Sequence, residues 1–563
     1  MEYKPENRIC QNCKNDFTIE TDDFSFYEKM KVPAPTFCPK CRRQRRFAWR
    51  NYINFYHRKD INGKDVISLY SPESNIPVLN SKDWNNYAVD MHDYGVHYDF
   101  SKSFFNQYFD LLKRVPRLAM DNDDGLLSKN CQYTNDFLLG KNCYLVIKAW
   151  KLEDVMYSFY VVNSKNLVDV CTSFGKDEGN YETVNTKQCY QCKFIIDSQS
   201  CMDCLYSYDL RNCSSCLLCS NIRGKKYCYR NEQYTKEKYE EILKSYKLNT
   251  YSGAQKCFNE FNDLYKQSPK KSLRMINCKN SLGDLLVNCN NCHECFCILE
   301  SENASYCNFA DGVKDSLDAD ASGGSELAYE SDLTDFCYRV IGSYFSTHCR
   351  DSYYISNVHR SKNCFGCSGL RDAEYCILNK QYKKEEYEEL LPKIINHMIE
   401  MPYIDKKGNK HYFGDFPPIE LSYFGYNDSV ANDVFTLNEK EIKENGFVYQ
   451  ENQHRDNIEG ALSIDNIPDD INNVKDDILN NVYISNGRQY RITQDELSFY
   501  RKYQIPIPRE SFYDRFARRS KLMTSFKLYK SKSSKSGEEI ITSHNPNDEL
   551  TVYSIDEYKK EFE

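Results

Sequence analysis

Four cysteines near the start of the chain have the spacing of a metal site: Cys10 and Cys13, then Cys38 and Cys41. Each Cys-x-x-Cys turns two sulfurs to one side, and two such knuckles close a tetrahedron around one soft cation. Four thiolates leave no coordination position open. The spacing therefore predicts one structural Zn2+ rather than a catalytic one.

The second knuckle runs directly into a basic stretch, Arg42, Arg43, Arg45, Arg46 and Arg50, with Trp49, Tyr52, Phe55 and Tyr56 interleaved. Ten Lys or Arg and no acid lie between Lys29 and Lys59; eight and none lie between Arg515 and Lys535, among them Arg518, Arg519 and Lys521. The net charge is −8, so the ends are basic and the middle is acidic. Guanidinium forks grip phosphates and aromatic rings stack on unpaired bases. On that reading Arg42, Arg43, Arg45, Arg46, Trp49, Arg50, Arg518, Arg519 and Lys521 bind nucleic acid, the ribosome included. The same basic faces can instead dock on the acidic middle of their own chain, and charge alone does not separate the two.

Nothing in the sequence assembles a catalytic set. There is no G-x-G-x-x-G before a helix, no phosphate-binding P-loop, no G-x-S-x-G and no H-E-x-x-H. His293, in Cys292-His-Glu-Cys295, is the most suggestive histidine, yet it stands among repeat cysteines. Asp318, Asp320 and Gly323-Gly324 read as an acidic loop. The expectation is a non-enzymatic zinc protein that binds nucleic acid; the alternative is a scaffold for protein partners.

The elements that position these residues announce themselves by repetition. The other 23 cysteines all lie between residues 121 and 400. Cys189, Cys201 and Cys213 fall twelve apart, as do Cys192, Cys204, Cys216 and Cys228. Asn repeatedly precedes Cys, as in Asn130-Cys131, Asn212-Cys213 and Asn363-Cys364. A fixed step of small thiols and turn-forming Asn predicts a β-solenoid, with Cys filling a narrow interior and Asn at the turns. Twelve residues are either one flat rung or half of a larger one.

The pattern Asn212-Cys-Ser-Ser-Cys216 to Leu243 recurs at Asn363-Cys-Phe-Gly-Cys367 to Leu391, which predicts two modules, each ending in a capping helix (Thr235–Tyr246 and Lys384–Leu391). The C-terminus repeats the N-terminal domain at an offset of 473 residues, with Tyr483, Asn486, Ser511 and Asp514 in place of the four cysteines; this copy is expected to be metal-free.

The predicted fold is mainly β with minor α. Its parts are a zinc ribbon over 1–95, a linking helix over 96–120 capped by Ser101, solenoid modules over 121–250 and 251–400, a linker with some helix over 401–480, and a degenerate ribbon over 481–563. No apolar run reaches the ~20 residues of a membrane span, and no leader pattern opens the chain, so the expected setting is the cytoplasm, away from membranes, with reduced thiols.

The layout resembles an uncharacterised zinc-ribbon and Cys-repeat family from ultra-small uncultured bacteria. The elements that carry the resemblance are Cys38-Pro-Lys-Cys-Arg-Arg-Gln-Arg-Arg46, Tyr70-Ser-Pro72, Asp93-Tyr-Gly95, Val115-Pro-Arg117 and Tyr423-Phe-Gly-Tyr426. It implies ribbon-like ends around a cysteine-repeat middle and no established activity.

Overall fold

The computed structural model describes residues 3–123, 125–451 and 459–563. It is mainly β, with twelve α-helices among the described residues. The chain packs as two compact units, each joining two separated stretches: Met1–Met120 with Arg274–Gln450, and Asp121–Leu273 with Glu451–Glu563.

Each unit is built on a parallel ladder. In the second unit Cys131 pairs with Cys143, Lys193 with Leu205, and Cys216 with Cys228. In the first, Lys314 pairs with Glu326, Tyr338 with Arg350, and Cys364 with Cys376. Every one of these pairs is twelve residues apart, so twelve residues make one complete coil. The question left by the spacing is thereby decided.

The coil closes because every third residue takes the left-handed region: Asn185, Gln188, Gln191, Phe194, Asp197, Ser200 and Asp203 all have φ between 52° and 55° or close to it. Four such corners fit in each step. Asn and Asp tolerate positive φ better than other non-glycine residues, which accounts for Asn at corners such as Asn130, Asn212, Asn288 and Asn363.

The residue after each corner lies inside. Cys189, Cys192, Ile195, Cys201, Cys204, Leu210, Cys213 and Cys216 form one buried core. Ser198 and Ser207 occupy the same inward series, and each hydroxyl accepts from a backbone N–H one coil on, Leu210 and Cys219 respectively. Only small side chains fit so narrow a space, and Cys is a small hydrophobe with a weak donor. Outside, corner residues stack: Asn130 donates to Asn142 at 3.1 Å and Asn142 to Asp154 at 2.9 Å.

Each ladder ends in an antiparallel turn and a helix. Lys226–Tyr229 and Glu232–Gln233 precede helix Lys236–Ser245; Glu374–Ile377 and Lys380–Gln381 precede helix Lys384–Glu400, which runs nine residues past the expected Leu391. The expected linking helix spans Phe104–Leu112, and its N-cap position is Ser103, not Ser101. It docks on the first unit's ladder, with Phe104 5.0 Å from Phe365 and 4.9 Å from Tyr354, ring centre to ring centre. Residues 401–450 are packed into the same unit, with Phe416, Tyr423 and Tyr426 buried.

The terminal domains repeat in structure as in sequence. Helices Thr21–Met30 and Pro39–Phe47 are matched, 473 residues on, by Gln494–Tyr503 and Phe512–Ser520. Lys31 and Gln504 end the first helix of each copy in the left-handed region. The following hairpin, Tyr56–Lys59 with Asp65–Ser68, returns as Tyr529–Lys532 with Glu539–Thr542. No helix among the described residues is long and apolar enough to cross a membrane.

Candidate functional site

The hairpin Glu6–Ile9 and Asp16–Ile19 carries the first knuckle at its tip, where Lys14 adopts φ 61° and lets the chain turn back. Cys38 caps the Pro39–Phe47 helix, and Pro39 starts it without wasting a backbone donor. Together these elements bring the sulfurs of Cys10, Cys13, Cys38 and Cys41 within 4.8 Å of one another.

Cys13 and Cys38 are 3.7 Å apart, close to the ~3.8 Å edge of a tetrahedron with ~2.3 Å metal–sulfur bonds. Two N–H groups already point at sulfur: the Cys38 amide to Cys10 and the Asn12 amide to Cys41, each at 3.3 Å. Hydrogen bonds from Cys38 and Cys41 hold the Cys10 thiol far below its usual range, and the bond to Cys10 pushes Cys38 up to about 11. Thiols crowded this way compete for one negative charge, and a divalent cation removes the competition by ionising all four. The cluster can hold a metal ion, and its donor set is consistent with zinc.

Among the described residues no other group of three or more such ligands meets. The cysteines outside this cluster are buried, Cys278 excepted, and all 27 cysteines are free thiols. At the equivalent place in the second copy, Tyr483 is buried and Ser511 caps the Phe512–Ser520 helix, accepting from the Asp514 amide at 3.3 Å. His293 is exposed and hydrogen-bonds Asn291 at 3.2 Å.

The arginines after the knuckle do not face solvent. Arg42, Arg45, Arg46 and Arg50 are all buried. Arg42 donates to Asp318 at 2.8 Å, Arg46 to Asp320 at 2.7 Å and to Asp318 at 2.9 Å, Arg45 to Glu330 at 2.5 Å, and Arg50 to Asp332 at 3.1 Å. Arg43 lies over the Phe296 ring at 5.1 Å, and the indole of Trp49 donates to the Pro418 carbonyl.

The second copy repeats this contact with its own ladder. Arg515 donates to Asp169 at 2.8 Å, Arg519 to Asp169 at 2.7 Å, and Arg518 to Glu182 at 2.9 Å. Burial pushes the Glu330 carboxyl up despite Arg45 and Arg46. Glu182 is raised by burial too, but Arg518 and Arg519 outweigh it and hold the group lower. A guanidinium buried against carboxylates of its own chain is out of reach of a nucleic-acid backbone. The docking alternative, not the nucleic-acid one, describes Arg42, Arg45, Arg46, Arg50, Arg515 and Arg519. Of the nine residues expected to bind nucleic acid, Lys521 alone is exposed.

The acidic partners escaped the sequence reading. Asp318 and Asp320 lie in strand Lys314–Asp320 rather than a loop, and Asp318, Glu330 and Asp169 all stand at left-handed corners. Arg117 closes the Val115-Pro-Arg117 motif. It is fully buried, with its guanidinium 3.8 Å from the Tyr423 ring, and it donates to that residue's hydroxyl at 2.6 Å. Tyr70 and Trp49 also contact Tyr423. In the second unit Lys270 takes the corresponding strand position and lies over Tyr208 and Tyr265 at 4.1 and 3.9 Å.

No protein-family model matches the chain, and no curated protein matches it in sequence.

Proposed function

We propose that the chain is a non-enzymatic, zinc-stabilised scaffold made of two homologous modules. Each module is a β-solenoid with a ribbon-like terminal domain clamped to its acidic corners, and it works in the cytoplasm by presenting solenoid surfaces to protein partners. The observation that carries this reading is the pair of arginine clamps. The second copy has lost all four cysteines yet keeps Arg515, Arg518 and Arg519 at the places of Arg42, Arg45 and Arg46, paired with Asp169 and Glu182, so the basic helix serves the joint and not a passing polyanion.

The partner-facing part of the reading rests on four leucines in the opening coils of the second unit's ladder. Leu126, Leu127, Leu138 and Leu139 are between 44% and 72% exposed. Apolar side chains gathered on a surface mark contact sites more often than isolated ones do.

Titration of labelled single-stranded RNA and DNA with the full chain, across a salt series, tests the choice. The scaffold reading expects nothing tighter than the ~10⁻⁴–10⁻⁶ M of non-specific contact. It also expects a cross-linked protein partner to be lost when Leu127 and Leu139 become Asp. Sub-micromolar, salt-dependent binding that Lys521→Ala abolishes overturns it in favour of a nucleic-acid protein.

A further inference from the structure

The two clamps differ in one respect that the loss of zinc does not explain. In the first unit Phe37 lies against Arg45, ring centre to guanidinium 4.4 Å. Its counterpart 473 residues on is Glu510, and Arg518, the counterpart of Arg45, is 29% exposed where Arg45 is 3%. Beside Glu510 a cavity of about 160 Å³ lies within the second unit, between the ladder, the helix Tyr251–Gln267 and the segment 504–518.

One wall is aromatic: Phe194 stacks on Tyr206 at 4.6 Å and meets Phe258 edge-on at 5.5 Å. The other is cationic. Lys193, Arg509, Arg515 and Arg518 line it against two acids, Glu182 and Glu510. Two of its donors are buried with no hydrogen-bond partner, Nη2 of Arg515 and Nε of Arg509. Arg515 itself is almost wholly buried, and the nearest acid to that nitrogen is Glu496, at 4.0 Å. Both atoms lie behind the wall with almost no surface of their own and add positive charge to it.

We propose that this cavity is a binding site for a small acid built on one flat ring. The space is about that of a ~150 Å³ cavity that takes one benzene molecule. The ring packs on Phe194, Tyr206 and Phe258, and the carboxylate or phosphate sits against Lys193 and Arg509. Beside Phe37 and Arg45 in the first unit the cavity is only about 30 Å³, so the duplicated halves divide their roles: one copy keeps the metal and a tighter joint, the other gives up the metal and opens a pocket.

Calorimetric titration of the full chain with phenyl phosphate, benzyl alcohol and inorganic phosphate tests this. The expected result is that phenyl phosphate binds at least tenfold tighter than either of the others. Ala254→Trp, at the half-exposed mouth, and Lys193→Met each weaken it at least tenfold, with circular dichroism confirming an intact fold. No heat with phenyl phosphate at millimolar concentration overturns the proposal. So does equal binding of benzyl alcohol, equal binding of inorganic phosphate, or indifference to Ala254→Trp.

Discussion

Arg42 donates through Nε to Asp318 at 2.8 Å and through Nη1 to the Phe37 carbonyl at 2.9 Å. In the other unit Arg515 donates through Nε to Asp169 at 2.8 Å and through Nη1 to the Glu510 carbonyl at 2.8 Å. The same two bonds, 473 positions apart in the helices, join a terminal domain to its own ladder. Desolvating charges on this scale is costly, and such a pair stabilises only while both partners are present.

Removing one partner of a clamp should therefore cost far more than a surface charge does. Arg46→Ala leaves Asp318, Asp320 and Glu330 buried with less compensation, and a loss of about 3–5 kcal/mol is expected. Hydrogen exchange should show Pro39–Phe47 loosening while Phe512–Ser520 keeps its protection; Arg519→Ala should reverse the pattern. Uniform loosening of both helices by either variant would count against two independent clamps.

Metal analysis of purified protein should give one zinc per chain. Cys38→Ser or a strong chelator should remove it and lower the melting temperature, because the energy of metal binding is folding energy for the domain that holds it. Three or more ions per chain would make ligands of ladder cysteines.

Thiol labelling of the native protein should be sparse. Among the 27 cysteines, Cys13 and Cys278 alone are partly exposed, and Cys13 belongs to the metal cluster. Cys278 should react first, and the ladder thiols only on unfolding. Within the ladder, Cys204→Val should cost less than about 1.5 kcal/mol as a near volume-conserving change, whereas Cys204→Phe should prevent the coil from closing.

Asp177 supplies a test by pH. Burial raises its carboxyl to about 6, although the Cys189 amide donates to it at 2.7 Å. Its folded pKa exceeds the unfolded value near ~3.9, so the folded state binds more protons between those values, and stability from this group falls as pH rises through that window. Measured by urea unfolding, the wild type should gain about 2 kcal/mol on Asp177→Asn between pH 7 and pH 4, at ~1.4 kcal/mol per pKa unit. A constant difference across that range would remove the group from the balance.

Much of this was legible because it is local. Asn212-Cys213 and Asn363-Cys364 state a corner and an inward position in two letters, and the knuckles at Cys10 and Cys38 state a ligand set. The clamp was not legible: Arg46 and Asp320 are 274 residues apart, and no pattern within a window shows which acidic stretch a basic helix meets. The coil length was ambiguous for a related reason. The corner is set by φ, and residues as unlike as Gln188, Phe194 and Asp203 all adopt it, so composition hides many of the corners. Asp318 looked like a loop because acidic residues are rare in strands, yet here the ladder holds it for an arginine to find.

The coil also constrains how this gene can change length. Where a single extra residue enters, between Ser173 and Asp177, Gly175 and Lys176 both take positive φ and Val168 pairs with Tyr181, thirteen positions on. Anywhere without such a hinge, adding one or two codons would turn cysteines outward and corners inward from that point to the cap. Growth or loss by whole coils escapes the penalty, so sister sequences should differ in ladder length by multiples of twelve.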